Sequence, residues 1–590
     1  MNFKQLVKIY CIFIFTIFFY FNAFCQNADF YLQSSEMHHI LVQYQEDKGS
    51  ILRFYATQNP MDSRGQVSPY NSPVRRKRLQ DLIDVYVKQI EALPFDKFNI
   101  NSKVDYLLFK RNLESEKYEL NEEENRHKQI PHFIPFSDRI YNLVQLRERG
   151  YHVDAHQVAK EMNEIIKMVN KSSAELKSMP TYEMAKANTV ADAIQGMQGT
   201  LKSYFNFYNG YDPLFSWWVP KTYASLDSVL TKYSQETLKL ARKDTAIKPD
   251  KSGIVGKPIG RQELIRQLKL EYIPYTPEEL IDIANKEFAW CDAELLKATK
   301  EMGFGTDWKA AQEKVKNSYV APGHQPEAML DLYNQSVAFL KKHDLVTIPP
   351  IAEETWRVNM MAPERQLVSP FFLGGESLII SYPTNSMSYE DKMMSMRGNN
   401  PHFSRATVHH ELIAGHHLQR FMINRYKNYR NFETPFWTEG NALYWEFLLW
   451  DMNFPRSPED RIGMLFWRMH RCARIIFSMK YHLGEWTPQE CIDFLVDRVG
   501  HERANAEGEV RRSFTGNYGP LYQMAYMLGG LQFYALKKEL VDNKKMTIKE
   551  FHDAILKENS IPVEMLRAIL TKQDIKKDFT TRWRFYNPKT

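Results

Sequence analysis

Residues Arg405 to Gln419 read R-A-T-V-H-H-E-L-I-A-G-H-H-L-Q. Four histidines (His409, His410, His416, His417) and Glu411 fall within nine residues. Imidazoles and a carboxylate at that density are the ligand set of a borderline-soft divalent cation such as zinc. Two imidazoles on one helix reach a common ion when they are four residues apart, because i and i+4 share a face. Here the spacing is longer. Six residues carry His416 about 240° round the axis from His410, onto the wrong face. Seven return His417 to the same face, but about 10.5 Å further along. Zinc ligands lie about 2.1 Å from the ion, so a straight helix holds neither pair. The spacing therefore predicts a helix that bulges between the two histidines. Ala414-Gly415 is the expected place, since glycine tolerates the backbone angles a bulge needs. His416 is preferred as the second ligand, with His417 the alternative.

His410-Glu411 followed by a later histidine is a stretched form of H-E-x-x-H, in which the Glu beside the ligands serves as general base of a zinc hydrolase. Such a site takes a third protein ligand and leaves a fourth position open. Downstream, P-F-W-T-E-G-N-A-L-Y-W-E-F supplies Glu439 and Glu446, seven residues apart and so on one helical face. In a helix otherwise rich in Trp, Tyr and Leu, two acids facing one way need partners. One can bind metal while the other holds a ligand histidine by its second nitrogen.

The 590-residue chain is 44% apolar and 13% aromatic, the composition of a folded protein with a large core. A formal charge of +6 is too small for its size to imply a nucleic-acid partner. Residues 1–25 have the form of a secretory signal. Lys4 and Lys8 precede an apolar run from Ile9 to Phe24, and Ala23-Phe24-Cys25 puts small residues at −3 and −1 of a cleavage site. Acylation at Cys25 would want a small residue where Phe24 stands, and an uncleaved anchor is the runner-up. No later stretch approaches spanning length, so the mature protein is expected to be exported, periplasmic or extracellular, and free of the membrane. Cys291, Cys472 and Cys491 form no disulfide framework and are expected as buried thiols.

Helical periodicity dominates from Asn99 to Leu240 and, after a polar loop from Lys243 to Gly260, returns in runs as far as Asp344. Val74 to Leu93 is an earlier run of the same kind, with the cations of Arg75 to Arg78 expected on its solvated face. Thr276-Pro-Glu-Glu279 is a helix start with the elements of a capping box. The texture then changes. Leu345–Pro349, Trp356–Asn359 and Leu378–Pro383 are short β-branched runs bounded by Pro and Gly, which predict a small sheet just before the His-rich helix. The expected fold class is therefore mainly α, a large multi-helix unit over residues 26–590, with the metal-site half at about 345–540.

T-V-H-H-E-L-I-A-G-H-H-L-Q, the later T-E-G-N-A-L-Y-W-E and a C-terminal Tyr-rich helix resemble a large bacterial family catalogued as domain of unknown function 885. The resemblance spans most of the chain after the leader. That family's usual motif is H-E-x-x-P-G-H-H, and Ala414 stands where the proline would be. The family in turn looks like a relative of the glutamate-type zinc peptidases. By that resemblance Glu439 is a metal ligand and Glu446 the supporting acid. Arg474 and His482 match a family segment in which Ser478 replaces an Asp, which makes His482 a candidate transition-state donor. Tyr526, among Tyr518, Tyr522 and Tyr526, aligns with a family tyrosine placed to stabilise an oxyanion. Arg512, near Glu509, matches a position suited to a peptide carboxylate.

The resulting expectation is a secreted peptidase with one zinc ion held by His410, His416 and Glu439. Glu411, Tyr526 and His482 would be catalytic, Glu446 and His417 would support the ligands, and Arg512 would bind the peptide substrate. The alternative is an exported helical binding or scaffold protein that keeps the fold without the chemistry.

Overall fold

The computed structural model describes residues 35–55, 72–242, 250–366, 373–516 and 518–586. The expected leader at 1–25 lies outside them. The chain divides into two compact units, one of His39–Pro94 with Leu108–Lys248, the other of Phe95–Leu107 and Pro249 onward with the residues up to His38. No helix among the described residues is long and apolar enough to cross a membrane.

The smaller unit is helical. Ala155–Leu176, Met184–Tyr208 and Pro220–Leu240 pack about Met162, Ile165, Ile194, Met197, Leu226 and Tyr233, all fully buried. Its helix Pro73–Glu91 corrects one expectation. Arg75 and Arg76 are buried rather than solvated, because both reach Glu123, Arg76 at 3.6 Å. A buried guanidinium is tolerated when a carboxylate meets it. Only Lys77 and Arg78 of the basic run stay on the exposed face.

The larger unit holds the expected site region. Helix α1 (Pro277–Glu301) begins as the sequence predicts: the Thr276 side chain accepts from the Glu279 amide, and Glu279 accepts from the Thr276 amide at 2.8 Å. Strands β1 (Arg357–Met360) and β2 (Ser377–Ile380) pair in parallel, Arg357 opposite Ser377 and Met360 opposite Ile380. The third expected strand, Leu345–Pro349, is a connection between helices. Side chains take its backbone groups in place of a ladder: Asp553 accepts from the Thr347 amide at 2.9 Å, and the Leu345 carbonyl accepts from His552 Nδ1 at 2.7 Å.

Beyond the sheet come α2 (Pro401–Glu411), α3 (His416–Ile423), α4 (Pro435–Asp451), α5 (Pro458–His482), α6 (Arg503–Thr515) and α7 (Tyr522–Lys537). Helix α5 runs through the core with nearly every side chain buried and packs on α1, α2 and α7. Each large apolar side chain so buried contributes about 1.5–3 kcal/mol. Cys291, Cys472 and Cys491 are buried free thiols, as expected. Helices α4 and α7 cross in contact at Gly440 and Gly529, where a methyl group on Gly440 would lie 2.5 Å from the Gly529 Cα. Without side chains at the crossing the backbones close up. That contact sets Glu439 beside Tyr522 and Tyr526.

Candidate metal centre

Helix α2 does not bulge after His410; it ends. Glu411 is its last residue, and Leu412 leaves the helical region with φ −110° and ψ −107°. The Gly415 amide donates to the His409 carbonyl at 2.9 Å, and α3 starts at His416. The Ile413–Ala414 peptide bond is cis. Gly415 is required for room rather than for an unusual φ: at φ −89° it abuts the His410 carbonyl, where a side chain would collide. This chain reversal folds His416 back beside His410, with ring centroids 4.8 Å apart and planes at 88°.

The geometry separates the two alternatives for the second ligand. His416 Nε2 lies 3.2 Å from Glu439 Oε2, and His410 Nε2 lies 3.4 Å from the same oxygen. Ligand atoms of the three residues fall within 4.8 Å of one another. Two ligands about 2.1 Å from one ion at a tetrahedral angle are about 3.4 Å apart, so the donor set and two of its spacings fit zinc. His417 turns the other way: its Nε2 donates to the Ala352 carbonyl at 2.6 Å. It does not support the ligands as the sequence suggested.

Three neighbours hold the triad. His410 Nδ1 donates to Glu446 Oε1 at 2.8 Å. Tyr522 donates its hydroxyl hydrogen to Glu439 Oε1, leaving Oε2 to the imidazoles. Gln419 Oε1 is 3.2 Å from His416 Nδ1, and its amide nitrogen donates to Asn441 at 3.0 Å. Burial would lower the His410 imidazole, but hydrogen bonds to Glu439 and Glu446 lift it to about 9. Burial pushes the Glu439 carboxyl up; His416 and His410 outweigh that and hold it well below the usual carboxylate range. The two shifts are reciprocal: imidazole and carboxylate each stabilise the other's charged form.

A cavity of about 340 Å³ opens over the triad. Glu411, His410, His416 and Glu439 line one part of it, and Tyr518, Tyr522 and Tyr526 another. Gly374, against the Glu411 side chain, and Gly375, whose amide donates to the Glu411 carbonyl at 3.2 Å, bring the β-strand region up to α2. The Tyr526 ring stacks by the His410 ring at 14°, centroids 6.0 Å apart. Burial raises both the Tyr522 and Tyr526 phenols, so each keeps its proton well above neutral pH.

His482 does not join this group. It is buried against Phe514, ring centroids 6.0 Å apart, and is absent from the cavity wall. Burial depresses its imidazole to about 4. Ser478, in place of the acid of the resembling family, gives it no hydrogen bond. Arg512 does line the cavity, with its Nε 2.9 Å from Glu509. Arg365, Arg420, Arg471 and Arg474 line it too. Of these, the sequence offered a signal for two: Arg468, Arg471 and Arg474 recur every three residues in a helix rich in apolar side chains, and buried cations need an explanation.

No curated protein matches this chain. A solved structure of a candidate lipoprotein of unknown function from Shewanella oneidensis is similar over 91% of this chain and 99% of its own, with TM-score 0.65 and 15% identity. A candidate lipoprotein from Colwellia psychrerythraea is similar over 90% of this chain and 98% of its own, with TM-score 0.55 and 17% identity. At such identities the likeness is one of fold. The model of the family described as bacterial protein of unknown function (DUF885) matches residues 55–570, and the chain belongs to that family.

Proposed function

We propose that this chain is an exported zinc-dependent peptidase acting on short peptides. The observation that carries the reading is the convergence of His410, His416 and Glu439 beside Glu411 at one cavity. When bound, the ion supplies Lewis acidity and acidifies water at its open position. Glu411, the residue after His410 and part of the same wall, would serve as the general base for the attacking water and as the proton donor to the leaving amine. Tyr526, protonated and facing the cavity, donates a hydrogen bond to the developing oxyanion, a contribution worth a few kcal/mol. Tyr522 keeps Glu439 turned towards the imidazoles. Glu446 fixes the His410 tautomer.

A cavity of about 340 Å³ is at the small end of ligand sites and suits a few residues of extended peptide. The leader-like residues 1–25 and the two similar candidate lipoproteins support export. The test is hydrolysis of a mixed peptide library by the purified protein, before and after dialysis against a chelator and after zinc return. Cleavage that chelation removes and zinc restores is expected. Cleavage indifferent to chelation, or none with a full complement of zinc, refutes the reading.

A further inference from the structure

Among the described residues, the cavity wall carries five arginines against two carboxylates, Glu411 and Glu439. Helix α5 provides an internal comparison. Arg468 meets Glu287 at 2.7 Å and Arg474 meets Glu509 at 2.6 Å. Arg471, between them and only 4% exposed, has no carboxylate within 4.0 Å among the described residues, and its Nε has no hydrogen-bond partner. The rings of Trp467 and Tyr526 hold its guanidinium, at 5.1 and 4.6 Å. Arg474 lies 4.5 Å from the same Tyr526 ring with its Nη1 unsatisfied, and Arg512 shares Glu509 with it. One carboxylate thus serves two guanidinium groups, and among the described residues the third has none in contact, with Glu446 and Glu439 acting on it only at longer range.

A buried, unpaired cation costs several kcal/mol in a free-standing fold, and a planar guanidinium is shaped for bidentate contact with a carboxylate. We propose that Arg471, with Arg474 and Arg512, receives a carboxylate of the substrate within a few residues of the bond cleaved. This rests on the peptidase reading for the bond, though not for the binding. The His410 ring is 6.0 Å from the Tyr526 ring and Arg471 is 4.6 Å from it. The guanidinium is therefore within about 11 Å of His410, a span of about three extended residues. The carboxylate is either a chain terminus or an Asp or Glu side chain, and both have the same chemistry.

Calorimetric titration of the zinc-loaded Glu411→Gln protein separates binding from turnover. The probes are one tripeptide in four forms: free acid with Glu, free acid with Gln, C-terminal amide with Glu, and C-terminal amide with Gln. Removal of one carboxylate is expected to weaken binding at least tenfold, and which removal does so identifies the source. Adding Arg471→Met should erase that difference while leaving the thermal midpoint unchanged or higher, because a buried unpaired charge is lost. Arg468→Met, which leaves the buried Glu287 carboxylate with the Tyr586 hydroxyl but without its cation, should instead lower the midpoint. Equal binding of all four forms overturns the proposal, whether or not Arg471→Met folds, as does a preference that Arg471→Met retains. Charge-selective binding without hydrolysis by the unmutated chain would refute the peptidase reading alone. Hydrolysis indifferent to peptide charge would refute this inference alone.

Discussion

His410 Nδ1 donates to Glu446 Oε1 at 2.8 Å, which leaves the other nitrogen of the same ring to face His416 and Glu439. The two acids of α4 thus divide their work: one grips the outer nitrogen of an imidazole and the other meets its inner one. Glu446→Ala frees the ring to rotate and strands a buried N–H. Zinc affinity should fall about 10- to 100-fold, as is usual when such an outer partner is lost. Competition with a chelating dye measures it. Unchanged affinity would detach Glu446 from the site.

Adjacent histidines at the start of α3 should respond in opposite ways. His416→Ala removes a side chain of the triad and should abolish zinc uptake with little effect on folding. His417→Ala should leave uptake intact but destabilise the chain by about 1–3 kcal/mol, since the buried Ala352 carbonyl loses its donor. Zinc titration and urea unfolding of the two variants, side by side, read this directly. Loss of zinc from His417→Ala with retention in His416→Ala would reverse the assignment.

The Gly440–Gly529 crossing positions the site from a distance. A methyl group at Gly440 forces α4 away from α7, an overpacking that costs about 1–3 kcal/mol. The same shift pulls Glu439 from Tyr522. Gly440→Ala is therefore expected to lower the urea midpoint and weaken zinc binding together. A variant that loses stability but binds zinc as before would show that the crossing does not set the ligand.

Acid should destabilise the fold through its buried imidazoles. His552 Nδ1 donates to the Leu345 carbonyl at 2.7 Å, and its Nε2 accepts from the Tyr444 hydroxyl at 2.8 Å, so the neutral ring is already satisfied. Burial is the largest cause holding it at about 4, below its ordinary 6.5. A depressed imidazole leaves stability complete above about 6.5; the unfolded chain gains protons first as pH falls, and the loss is full below about 4. The His552 share is up to about 3 kcal/mol. Urea midpoints from pH 7.5 to 4 should fall, and less steeply for His552→Gln. An equal slope in both proteins would assign the effect elsewhere.

Helices announced themselves through periodicity and capping residues, as at Thr276, because those signals are local. The candidate triad was partly legible for a related reason: Glu439 and Glu446 stand two helical turns apart on one face, and His410 and His416 are of the right chemical type. The stretch between His410 and His416 was readable only as a departure from helix. Its form, a chain reversal with Gly415 against the His410 carbonyl, depends on contacts within a tight turn that spacing does not encode. Leu345–Pro349 has strand composition, yet Asp553 and His552, about two hundred residues on, take its backbone groups. His482 was misplaced because α5 is buried on every side, so helical phase does not tell which face meets the cavity. Arg471 went unread for the same reason.

The most direct measurement is an anomalous difference map from crystals of the zinc-loaded protein, collected at the zinc absorption edge. One peak is expected, bonded to His410 Nε2, His416 Nε2 and a Glu439 oxygen at about 2.0–2.2 Å. No peak among those three side chains, or a peak at His417, would contradict a zinc centre built on the broken helix.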